Sequence, residues 1–159
     1  NPIGAHVSGC LGENPSKNPS NIMPIILKVA SGKISNLEIF GNDWETIDGT
    51  GVRDYIHVMD LAEGHFLALE NLLNKKSEII KLNLGTGIGT SVLQLVQTFE
   101  RVNNVKIPYE FVSRRKGDLG YSVADSSFAK SKLNWKPTNN IEDMCRDCWN
   151  WFKRYPNGF

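Results

Sequence analysis

The stretch Val52-Arg53-Asp54-Tyr55-Ile56-His57-Val58 constrains this chain more than any other. Its residues alternate as in a strand, with Val52, Asp54, Ile56 and Val58 on one face and Arg53, Tyr55 and His57 on the other. Asp60 then precedes Glu63 by three residues, a capping-box spacing. This predicts a helix over Leu61–Leu73, with Ala62, Phe66, Leu69 and Leu73 on its apolar face. A strand that runs straight into a helix is the building unit of α/β folds.

The rest of the chain repeats that alternation. The segment from Asn1 to Pro19 is rich in Gly, Pro, Asn and Ser and reads as a loop. Its Asn14-Pro15-Ser16 and Asn18-Pro19-Ser20 sequences mimic glycosylation sites that the middle proline forbids. A helix is expected from near Asn21 to Ser31, closed by Gly32, followed by a strand at Leu37–Phe40 and a polar loop around Trp44. Ile79–Leu84 reads as a strand, and Ser91 or Thr90 caps a helix from Val92 to about Val102. Val105–Val112 looks extended, and Asp125 caps a short helix to Lys132 or Leu133. Asn140 and Asp143 cap a last helix whose apolar face carries Ile141, Met144, Cys145, Cys148, Trp149 and Phe152. Only one unit, about 79–102, looks like a standard layer of a parallel sheet.

Bulk properties narrow the function classes. The 159 residues carry 18 basic and 17 acidic side chains, a net charge of +1, which gives no long-range field for nucleic acid or an anionic membrane. No apolar run approaches the ~18 residues of a membrane span, and no secretory signal is visible. Three cysteines, at 10, 145 and 148, argue against a disulfide framework and for a reducing compartment, so a cytoplasmic location is expected. The chain opens on Asn1 rather than methionine, so it reads as starting in the middle of something.

Several motifs have structural explanations. Gly85-Thr86-Gly87-Ile88-Gly89-Thr90 follows a predicted strand and opens a helix, but its spacing is not the G-x-G-x-x-G of a dinucleotide fingerprint. A tight turn is favoured over phosphate binding. Cys145-Arg146-Asp147-Cys148 lies on the apolar face of a helix with no second pair, so a core role is favoured over metal or redox chemistry. His6, His57 and His65 lack metal-ligand spacing. The arginines say more: Arg53 follows Gly49-Thr50-Gly51, and Arg114 and Arg115 sit in a Gly/Asp loop after an extended segment. Guanidinium forks at strand ends suit an anionic ligand. Spacing alone leaves open that they are solvated or paired with Asp54 or Asp118.

Read together, Asn1-Pro2-Ile3-Gly4-Ala5-His6, Asn21-Ile22-Met23-Pro24, Ile39-Phe40-Gly41-Asn42-Asp43 and the long Asp48–Ala62 run carry a resemblance. So do Asn83-Leu84-Gly85-Thr86-Gly87, Arg114-Arg115-Lys116-Gly117-Asp118 and Leu133-Asn134-Trp135. In order and spacing, from first residue to last, the chain resembles the UDP-glucose 4-epimerases of the extended short-chain dehydrogenase/reductase family.

That resemblance implies an α/β C-terminal substrate-binding portion spanning residues 1–159, with the 79–102 unit belonging to the Rossmann sheet of a longer enzyme. The N-terminal NAD-binding domain and its Tyr-x-x-x-Lys pair would lie outside this chain, where no tyrosine has lysine four residues on. No catalytic residue, bound cofactor or metal is expected here, and the isolated chain is expected to be inactive and open to non-native self-association. The resemblance places Asn1 at the hexose and diphosphate region, Asn21 at the diphosphate region, and the backbone of Leu37, Glu38 and Ile39, with Phe40, at the uracil. It gives Arg53 and Arg115 the diphosphate and Asp118 the ribose hydroxyls. Ser122 stands where many relatives carry a bulky tyrosine, which would leave room for an N-acetyl group on the sugar. The implied activity is the interconversion of UDP-glucose and UDP-galactose with NAD, in galactose metabolism. Another nucleotide-sugar epimerase or dehydratase, or a stand-alone UDP-binding module, are the competing readings.

Overall fold

The computed structural model describes residues 1–15, 19–74 and 79–158; Ser16 and Asn18 of the proline-blocked sequences lie outside them. The elements run β1 (Pro2–Ile3), α1 (Ile22–Ala30), β2 (Leu37–Phe40), β3 (Val52–Asp54), β4 (Ile56–His57) and α2 (Val58–Leu73). They continue with β5 (Gly89–Ser91), α3 (Val92–Asn103), β6 (Tyr109–Val112), β7 (Tyr121–Ser122), α4 (Ser127–Leu133) and α5 (Ile141–Arg154). The architecture is α/β, as expected.

Three small sheets replace one broad one. β1 lies parallel to β4, and β2 parallel to β6 from Leu37↔Tyr109 to Phe40↔Val112. β3 is central to a third sheet, antiparallel to β5 and parallel to β7. The main core gathers Met23, Ile26, Leu95, Val96, Phe99, Met144 and Cys145 from α1, α3 and α5. A second cluster holds Ile56, Ala129, Leu133 and Trp135, with Leu61, Leu67, Leu82 and Leu84 packed against it.

The ends of α1, α3 and α5 follow their sequence signals, whereas α4 starts after Ser126, with Asp125 Oδ1 accepting from Ser127 N at 2.9 Å. Pro24 sits in the first turn of α1, where its missing N–H is not needed. Gly32, at φ +73°, and Lys33 donate back to Val29 and Lys28 to close it. Ser91 with Gln94, and Asn140 with Asp143, form reciprocal capping boxes at α3 and α5.

Three expectations change. The 52–58 run is two strands, because its partners change at Tyr55. β3 pairs with β5 and β7, whereas Ile56 N donates to Asn1 O and β4 joins β1. Both faces of the run are buried up to His57 except at Arg53, which is half-buried.

The following helix starts at Val58, not Leu61, because the His57 Nδ1 accepts from Met59 N at 3.1 Å and caps it. His57 Nε2 lies 3.3 Å from Asp147 Oδ2, so the same ring ties α2 to α5. Asp60 caps nothing. It is buried and accepts from the N–H and side chain of both Thr138 and Asn139 at 2.9–3.1 Å. The predicted apolar face is the outer one: Phe66, Leu69 and Leu73 are 59%, 54% and 77% exposed. Inward, Gly64 lets Leu84 approach so closely that a Cβ would sit 2.8 Å from it.

Lastly, residues 79–84 form no strand. Leu82 and Leu84 pack with Leu61 and Leu67 of α2, and the segment joins no sheet among the described residues; Asn83 Nδ2 donates to Asp125 O at 3.3 Å. The helix after it, α3, packs on α5 inside this chain's own core, so 79–102 is not a strand–helix layer of a sheet present here. Among the described residues no helix is long and apolar enough to cross a membrane.

Candidate substrate-binding site

The expected site residues fall into two neighbourhoods and one outlier. The first is built on β2. Leu37 and Ile39 are each 1% exposed, so their side chains cannot meet a ligand, and their backbone groups are turned to β6. Leu37 N donates to Pro108 O and Gly41 N to Val112 O, so odd-numbered residues face β6. In a parallel pair the intervening residues point their N–H and C=O the other way. Glu38 and Phe40 therefore present the outward edge of β2. Above Phe40 lies Arg115, its guanidinium carbon 4.6 Å from the ring centroid. Its Nε donates to Asp118 Oδ2 at 3.0 Å. The pairing that spacing left open is thus real for Arg115. It holds the cation beside a carboxylate, a phenyl face and the outward edge of β2, where Phe40 O already accepts from Trp44 Nε1, groups that suit a planar polar ligand carrying an anionic group.

The second neighbourhood is built on β3. Val52 N donates to Gly120 O, which draws the 115–120 loop onto the strand, and Arg53 stands in register with Ser122 of β7. Arg53 Nη1 donates to Val52 O at 2.9 Å and makes no pair with Asp54. Asn1 donates from its backbone N and from Nδ2 to Asp54 O. Asn1, Asp54, Ser122 and Asn83 line one cavity of about 280 Å³. No contact joins Arg53 to Arg115 directly among the described residues; the loop between Arg115 and Ser122 links them through the chain.

Asn21 is the outlier. It lines a separate cavity of about 420 Å³ with Pro2, Gly4, His6, Val58 and Met59.

The glycine turn is structural. Thr86 N and Oγ1 donate to Asp54 Oδ1 at 3.0 and 2.6 Å, and Gly87 N to Oδ2 at 2.9 Å. Ala124 N adds a donor at 3.3 Å. An internal carboxylate fills the place a phosphate would take. A Cβ on Gly85 would lie 2.6 Å from Asp54 Oδ2, so this position needs glycine. The described residues therefore do not fit the pyrophosphate of a dinucleotide at this turn.

Cys145 and Cys148 are core residues. Burial raises both thiols, Cys148 to about 12 and Cys145 well above the ordinary thiol range, so neither is a nucleophile or metal ligand at neutral pH. Burial likewise pushes the Tyr55 phenol up to about 12, far from what a base near neutrality needs. No cluster of three metal-ligating side chains occurs among the described residues.

Sequence reasoning missed Asp54 and Asp60 as hubs, and the pair Trp44 and Arg114. The available signals were the glycines at 41, 85 and 120, each of which lets a backbone approach one of these side chains.

Comparison with known proteins places this geometry. The family model described as GDP-mannose 4,6 dehydratase matches residues 6–148. UDP-glucose 4-epimerase of Dictyostelium discoideum is 53% identical over all of this chain and 46% of its own length. The Bifidobacterium longum UDP-glucose 4-epimerase in complex with NAD+ and UDP superposes with a TM-score of 0.95 at 45% identity, over 100% of this chain and 47% of that one. The Stenotrophomonas maltophila enzyme with bound NAD and formylated UDP-arabinopyranose gives 0.94 at 49% identity, over 98% and 46%. The chain spans about half the length of the relatives it matches. It belongs to the GDP-mannose 4,6 dehydratase family and has the extended short-chain dehydrogenase/reductase fold of its UDP-glucose 4-epimerase relatives.

Proposed function

We propose that this chain is the UDP-sugar-binding, C-terminal portion of an NAD-dependent UDP-glucose 4-epimerase acting in galactose metabolism. The observation that carries the reading is the set Glu38, Phe40, Arg115 and Asp118: a strand edge with no strand partner on its outward side for a base, an arginine over an aromatic ring, and a carboxylate beside it. Uracil has amide-like edges that match a strand edge, the ribose hydroxyls donate to Asp118, and Arg115 and Arg53 meet the diphosphate. A firm hold on the nucleotide leaves the hexose free to turn, as exchange of configuration at one carbon requires. Asn1 and Ser122, which line one cavity, stand at the sugar end in this reading, and Asn21, in its separate cavity, toward the diphosphate.

NAD belongs to the remainder of the enzyme, because the glycine turn here is filled by Asp54. The absence of any Tyr-x-x-x-Lys in the 159 residues supports placing the acid–base pair there too. The chain alone is then inactive. Coding sequence upstream of Asn1 should contain G-x-x-G-x-x-G and Tyr-x-x-x-Lys; a stand-alone UDP-binding module would lack both. Its free, buried thiols Cys145 and Cys148 agree with a reducing, cytoplasmic setting.

The test is kinetic. Full-length protein should interconvert UDP-glucose and UDP-galactose, and Arg53→Ala and Arg115→Ala should each raise KM by about tenfold or more. Unchanged KM in both variants would remove these residues from the site. Ser122, exposed at the rim of the cavity with Asn1, makes a further distinction. Turnover should extend to UDP-N-acetylgalactosamine, and Ser122→Tyr should abolish that while sparing UDP-galactose. A wild-type enzyme that rejects the N-acetyl sugar would refute the role of Ser122.

A further inference from the structure

Arg114 and Arg115 are adjacent in sequence and do different work. Arg115 reaches over Phe40 into the candidate site. Arg114 turns the other way. Its Nε donates to Asp43 Oδ1 at 2.7 Å and one Nη to Asp43 O at 2.6 Å, while its guanidinium lies 3.9 Å from the centroid of Trp44. Trp44 is half-buried and held by several partners. Its Nε1 donates to Phe40 O at 3.3 Å, and its backbone N donates to Gly49 O. Gly41 and Gly120 approach the indole so closely that a Cβ would stand 2.6 Å from Nε1 and 2.9 Å from Cε3.

One indole therefore touches the end of β2, the loop after β6 and the residue before β7. These segments carry Phe40, Arg115 with Asp118, and Ser122. We propose that Trp44, clasped by Arg114, is a positioning residue that fixes the base-binding edge of β2 against Arg115; this rests on the UDP-sugar reading above. The indole N–H holds the Phe40 carbonyl, which lies on the outward edge, and so sets the plane of the peptide a base would meet. The stacked guanidinium anchors the loop from which the next residue, Arg115, projects. With Arg114 occupied by Asp43 and Trp44, one arginine of the pair orients and the other binds.

The test uses the full-length protein, with UDP titrated by calorimetry and steady-state kinetics on UDP-galactose. Trp44→Ala and Arg114→Met should each weaken UDP binding about tenfold and raise KM similarly, with kcat changed less than about twofold and the thermal midpoint close to wild type. Trp44→Tyr keeps a ring for Arg114 to grip and should recover most of the affinity. If Trp44→Ala proves unstable, Arg114→Met carries the test alone. Wild-type UDP affinity in Trp44→Ala and Arg114→Met, alongside weakened binding in Arg115→Ala, would overturn the clasp and spare the UDP reading. Unchanged affinity in Arg115→Ala and Arg53→Ala, or no UDP binding by wild type, would overturn the UDP reading and the clasp with it.

Discussion

The spine from Asp48 to Asp60 and the outer face of α2 are neighbours in sequence and opposites in physics. Along the spine, aspartates six residues apart each collect donors from a later segment. Asp48 accepts from Thr50 and from the Ser91 hydroxyl, Asp54 from the 86–87 turn and Ala124, and Asp60 from Thr138 and Asn139. Their polar needs are met within the chain, and they pull the pieces around β3 into one body. The outer face of α2 presents Phe66, Leu69 and Leu73 to water. A contiguous apolar face of this kind is a surface for packing against other protein. Directional hydrogen bonds specify how this chain is assembled, while the apolar face is a contact not made within it.

Breaking the spine should cost most. Asp54→Ala leaves three buried or half-buried N–H groups and a hydroxyl without their acceptor, and should lower the unfolding free energy by roughly 3 kcal/mol in urea titration. A loss under about 1 kcal/mol would show that the turn is satisfied some other way. Asn140→Ala removes a cap that accepts from Glu142 N and Asp143 N, and should cost about 1 kcal/mol.

Acid should act through the same carboxylates. Backbone donation from Asn140, then Arg146, holds the Asp143 carboxyl below the ordinary range. At Asp48 burial pulls upward, but donors from Ser91 and Thr50 outweigh it and the net direction is also down. Groups with depressed folded values stabilise fully above the unfolded pKa, about 4, and lose that contribution as pH falls through the folded value. Thermal midpoints should be level at pH 5–6 and drop below about pH 4; a midpoint that holds to pH 2 would contradict this.

The apolar face should be the least sensitive. Phe66→Lys with Leu69→Glu should change the stability of the 159-residue chain by less than about 0.5 kcal/mol, while reducing its self-association in sedimentation. A large loss of stability would mean that the face is already packed.

Much of this was legible in sequence where the signal is local. The cap at Ser91 or Thr90, the capping box at Asn140, the Gly32 stop of α1, the strand at 37–40 and the extended stretch 105–112, of which 109–112 forms the strand, depend on residues a few positions apart. The failures arose where distant partners decide. A period-two run cannot show that its pairing partner changes at Tyr55. Asp60 carries the spacing of a cap, but a loop seventy-eight residues on claims its carboxylate. The apolar period of α2 identifies a face without saying whether this chain covers it. In the candidate site, Arg115 and Asp118 stand in one short loop and were readable together. Trp44 was not, because its role comes from Gly41, Arg114 and Gly120 meeting in space.

The most direct measurement is hydrogen–deuterium exchange of the full-length protein with and without UDP. The account predicts protection concentrated at residues 38–41 and 113–118 and at Arg53, with the 85–89 turn and the outer face of α2 unchanged. Protection at the 85–89 turn, with none along the edge of β2, would put the phosphates on the glycine turn and contradict the account.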